Sequence, residues 1–134
     1  MKKSILPSII GLVAVCVVIV AALIFFGKPT APRIVSITPA DGAVNVDPDT
    51  TEIRVVFDRP MLNGSWSMCG GGPHFPPSAG PIHYDAEHKT WIAPVALKPG
   101  TQYEFGLNSK SYRNFKSAKG IPLEPVWVTF NTAP

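Results

Sequence analysis

The stretch Leu97-Lys98-Pro99-Gly100-Thr101-Gln102-Tyr103-Glu104-Phe105-Gly106-Leu107 decides how this chain reads. Pro99-Gly100 marks a tight turn, because Pro presets φ and Gly tolerates φ > 0. After it, Tyr103, Phe105 and Leu107 alternate with Gln102 and Glu104. That is the period of a half-buried antiparallel strand. Leu97, the Pro99-Gly100 turn and Tyr103 at the head of the strand have the layout of a tyrosine corner. In such a corner the ring packs inside a β-sandwich and the hydroxyl bonds backbone a few residues upstream.

Working outward, the remaining chain divides into short extended runs. Residues 33–38 are β-branched and end at Pro39, with Asp41-Gly42 as a turn. Residues 43–46 read as an edge strand closed by Asp47-Pro48-Asp49. In 51–57, Ile53, Val55 and Phe57 point inward and Glu52 and Arg54 outward. Residues 65–68 are a weak strand, and 69–81, with Gly70-Gly71-Gly72 and four prolines, a long loop. Residues 82–84 and 90–93 read as a hairpin about 85–88. Downstream, 108–124 is a long polar loop with one helical turn expected at 112–118, and 126–130 is the last strand. About seven short strands separated by turn signals predict an all-β antiparallel sandwich.

The N-terminus is different in kind. Residues 1–4 carry Lys2 and Lys3, and 5–26 are apolar and uncharged. Twenty-two residues of helix span roughly 33 Å, enough for a bilayer core of about 30 Å. Gly27, Pro29 and Pro32 stop the helix and make 27–32 a short linker. The expectation is an uncleaved transmembrane signal anchor, followed by a domain at 33–132. A cleaved secretory signal, giving a secreted form, is the competing reading; the run is long for one and lacks a small-residue cleavage site. The Lys bias places the N-terminus inside and the domain outside the cell membrane. From Arg33 onward nine Lys and Arg meet nine Asp and Glu, so the +3 net charge comes from Lys2, Lys3 and Lys28. A neutral folded part argues against nucleic acid as a partner. Cys16 lies in the apolar run and Cys69 in the folded part, so no disulfide between them is expected.

Several motifs together resemble the bacterial Ig-like domain known from surface-layer and cell-envelope proteins. They are Pro39-Ala40-Asp41-Gly42-Ala43-Val44-Asn45-Val46, Phe57-Asp58-Arg59-Pro60-Met61, the Leu97–Tyr103 corner, Gly120-Ile121-Pro122-Leu123 and the closing Phe130-Asn131-Thr132. The likeness covers nearly all of 33–132. It implies an Ig-like sandwich and a non-catalytic module, without a common ligand; binding or scaffolding at the bacterial cell envelope, with an envelope protein or glycan as partner, is the expectation. Phe105 stands where antibody-type domains carry their second cysteine, with Val55 as its apolar counterpart and Trp66 as the tryptophan packed over it.

Lys110, Tyr112, Arg113, Phe115, Lys116 and Lys119 interleave basic and aromatic residues. They suit anionic headgroups, a glycan or a partner protein, or else a solvated loop tucked by its aromatics. Met68, Cys69, His74, His83 and His88 offer soft ligands for copper or zinc, without a standard ligand spacing. A metal-handling envelope protein is therefore the alternative, and an accessory subunit of a separate enzyme another. Asp41, Asp47, Asp49 and Asp58 lack a calcium-loop pattern and fit turns. Gly70-Gly71-Gly72 lacks the Gly-Lys-Ser/Thr ending of a phosphate loop. No catalytic residue, cofactor or metal is expected.

Overall fold

The structure, a computed structural model, describes residues 29–134; the apolar run at 5–26 lies outside them. Among the described residues eight strands form: β1 (Ile34–Thr38), β2 (Ala43–Val46), β3 (Glu52–Phe57), β4 (Met68–Cys69), β5 (His83–Tyr84), β6 (Thr90–Pro94), β7 (Gln102–Leu107) and β8 (Val126–Thr132). They make two sheets, ordered β1-β3-β6-β5 and β2-β8-β7-β4. Among the described residues no helix is long and apolar enough to cross a membrane.

The chain changes sheet between β1 and β2, and Asp41-Gly42 docks the second piece. The Asp41 carboxylate accepts the Thr129 N–H (2.9 Å), and the Gly42 N–H donates to the Thr129 carbonyl (2.7 Å). β2 thus starts parallel to β8, while every other strand pair is antiparallel. Asn45 takes φ 54° where the β2–β8 register shifts. Asn reaches that left-handed region more easily than most residues.

Alternate positions of the strands fill the core. Ile53, Val55 and Phe57 of β3 meet Tyr103, Phe105 and Leu107 of β7 and Val128 and Phe130 of β8. Burial of each such side chain contributes about 1.5–3 kcal/mol. Val55 and Phe105, on opposite sheets, are both fully buried. The core tryptophan is Trp91 on β6, not Trp66. Trp91 is 0% exposed and meets the Phe115 ring edge-on at 5.1 Å. Because β4 spans only Met68–Cys69, Trp66 falls outside the ladder, half-buried against Tyr84 at 6.0 Å.

Residues 108–124 also differ from the reading: the expected helical turn at 112–118 is absent. Instead the segment folds back on itself, with Lys116 bridged to Pro122 and the Ser117 N–H donating to the Ile121 carbonyl. Gly120, at φ 85°, makes this reversal possible. The Leu62 N–H donates to Lys116 and the Ala118 N–H to Pro60, which ties the β7–β8 loop to the segment after β3. Periodicity could not show these bonds, since they join loops over 50 residues apart.

Candidate functional site

At one end of the sandwich sits the Leu97–Tyr103 turn. Tyr103 is buried, its ring 5.5 Å from Phe130, and its hydroxyl oxygen accepts the Lys98 N–H at 2.8 Å. Leu97 is half-buried against the core, and Gly100 holds φ 58° after Pro99. Thr132 completes the arrangement: its hydroxyl donates to the Lys98 carbonyl (2.6 Å) and accepts the Thr101 N–H (2.9 Å). The closing Phe-x-Thr thus packs its Phe on the Tyr and locks the turn with its Thr.

The loop at 69–81 is ordered by both sheets. After β4 the chain bulges through Gly70-Gly71-Gly72 and returns to the free edge of β7. There the Glu104 N–H donates to the His74 carbonyl (2.8 Å), and the His74 Nδ1 pairs with the Gln102 carbonyl (2.9 Å). Ser78 next bridges Val95, with the Ala79 N–H donating to Pro94 and the Ala96 N–H to Pro77. So one loop closes the edge of both sheets. Between its walls lies a groove of about 620 Å³, lined mainly by Trp66, Met68, Phe75, Ile82 and Tyr112, with Asn114 and Ser78 at polar points. Tyr84 donates its hydroxyl to the Ser65 carbonyl beneath Trp66 (3.0 Å), and burial pushes its pKa well up, so it stays a donor.

The basic and aromatic loop residues separate. Lys110, Tyr112 and Arg113 are exposed, Tyr112 at 65%. Arg113 pairs with Glu124 at 3.4 Å, a surface contact worth little by itself. Lys116 is half-buried and Lys119 exposed. Phe115 is no surface contact but part of the core, 0% exposed between Phe57 and Trp91; of the two aromatics it tucks onto the sandwich and Tyr112 does not. Asn108 secures it. This buried side chain donates to the Phe115 and Leu123 carbonyls (both 2.9 Å) and accepts the Phe115 N–H (2.8 Å). Its φ of 63° suits an Asn just past a strand; that placement is the one signal in the sequence.

The soft ligands do not converge. His74 is tied to Gln102, the His83 Nδ1 pairs with the Pro81 carbonyl (3.1 Å), and the half-buried Cys69 thiol has only a weak contact to the Ser67 carbonyl (3.8 Å). Among the described residues no group of three or more His, Cys, Asp or Glu is placed to hold a metal. The acids serve the backbone. Asp47 accepts the Asp49 N–H, and Asp58 accepts the Arg33 N–H and the Arg59 side chain. The Arg59 bond, then the Arg33 amide, hold the Asp58 carboxyl down to about 2. Burial opposes charge on Asp85, but amides of Thr90 and Lys89 outweigh it and hold its pKa low.

An Ig-like sandwich with a closed edge groove is the class these features define. The chain matches the bacterial Ig-like domain family over residues 28–132 and belongs to that family. No curated protein matches it.

Proposed function

We propose that the chain is a membrane-anchored, extracytoplasmic Ig-like domain, a non-catalytic module that binds a partner at the bacterial cell envelope. The observation that carries this is the edge groove. Its volume lies in the range of about 300–1,000 Å³ common to ligand sites, and its aromatic and aliphatic walls with a few polar points fit the same pattern. The family resemblance adds that such domains serve as binding or scaffolding modules. The apolar residues 5–26 supply the anchor.

A photo-crosslinker placed at Ser78, in the groove wall, is expected to capture a partner from intact envelopes. One placed at Asp49, away from the groove, is expected to capture none. Capture at neither site, or equally at both, refutes the groove as the contact surface.

A further inference from the structure

Charge is divided unevenly between one end of the sandwich and the rest of the domain. The chain enters at the end where β1, β4, β6 and β8 begin and β3, β5 and β7 finish. Backbone bonds from Leu62 to Lys116 and from Ala118 to Pro60 join loops of both sheets there. Seven basic residues stand at this end: Arg33 and Arg59 by β1 and β3, Lys89 in the β5–β6 hairpin, and Lys110, Arg113, Lys116 and Lys119 after β7. Only Asp58, Asp85, Glu87 and Glu124 oppose them, which leaves +3. The remainder of the domain carries Arg54 and Lys98 against Asp41, Asp47, Asp49, Glu52 and Glu104, which leaves −3.

Apolar exposure follows the same division. Of the five exposed large apolar side chains among the described residues, Leu62 and Tyr112 lie in loops at the basic end, and Val35 and Trp127 are the second residues of strands that start there. Only Val44 lies elsewhere. Cationic loops with an aromatic tip suit the headgroup layer, where Tyr and Trp are enriched and each basic residue gains from an anionic surface.

We propose that this basic end is a membrane-facing surface that binds anionic phospholipid headgroups, through Lys110, Lys119 and Arg113 with Tyr112 at the interface. The inference rests on the reading of 5–26 as an uncleaved anchor. The linker at 27–32 reaches about 20 Å at most when fully extended, so the end where Arg33 enters stays close to the bilayer. Headgroup attraction fades within about 8 Å at physiological salt, and the net-acidic remainder of the domain gains nothing from it. Charge segregation therefore favours the basic end as the one that meets an anionic surface.

The full chain is reconstituted into vesicles of phosphatidylcholine, alone or mixed with phosphatidylglycerol, and lysines are acetylated in a short pulse read by mass spectrometry. Lys110 and Lys119 are expected to react about fivefold more slowly on the anionic vesicles. Lys98 is expected to react equally on both, and high salt to remove the difference. Equal rates at Lys110 and Lys119, in a chain that stays with the vesicles through alkaline carbonate, overturn this inference and leave the anchor standing. A chain stripped by carbonate overturns the anchor reading and this one with it. In a Lys110→Glu, Lys119→Glu variant with unchanged melting, Lys116 is expected to react alike on both vesicles; persistent slowing overturns headgroup charge as the cause.

Discussion

Asn108→Gly tests how the β7–β8 loop is held. Glycine keeps φ at 63° without strain, so the substitution removes the side-chain bonds without forcing the backbone. Three bonds are lost. The Phe115 carbonyl still accepts the Leu123 N–H, but the buried Phe115 N–H and the Leu123 carbonyl lose the Asn108 partner. Each buried group left unmet costs about 1–3 kcal/mol, so the loss for the two is about 2–6 kcal/mol. That is a large share of the roughly 5–15 kcal/mol that holds a domain folded. The assay is urea denaturation of the compact Ala31–Pro134 unit, with hydrogen exchange at the Phe115 amide as the local readout. That amide is expected to exchange far faster in the variant. A midpoint shift worth less than about 0.5 kcal/mol with unchanged exchange at Phe115 refutes the clamp, since an unmet buried N–H must cost more.

Tyr103→Phe removes only the acceptor for the Lys98 N–H, and stability is expected to fall by about 1 kcal/mol in the same titration. Asp58 makes part of the stability acid-sensitive. Its folded pKa of about 2 lies below its unfolded value of 3.8, so its contribution is present above pH 3.8 and lost as pH falls toward 2. Solvent screening limits it to about 1 kcal/mol. Asp58→Asn is expected to flatten the stability profile across that window in urea melts at stepped pH.

The alternation in 51–57, 102–107 and 126–130 is enough to specify strands, their inward faces and the sandwich, because a two-residue period is written in adjacent positions. The Leu97–Tyr103 turn is legible for the same reason: its bonds close within a few residues. Contacts between distant segments are not. Thr132 locking Lys98, Asp41 holding Thr129 and Asn108 gripping Leu123 involve residues that carry no local mark of their partners. The groove draws its walls from segments near Trp66, Phe75, Pro94 and Tyr112. Trp66 and Trp91 are each plausible core residues by type, and only the shortness of β4 decides between them. Local patterning therefore determines the layers. What each loop encloses depends on which remote backbone groups find hydrogen-bond partners once the layers have packed.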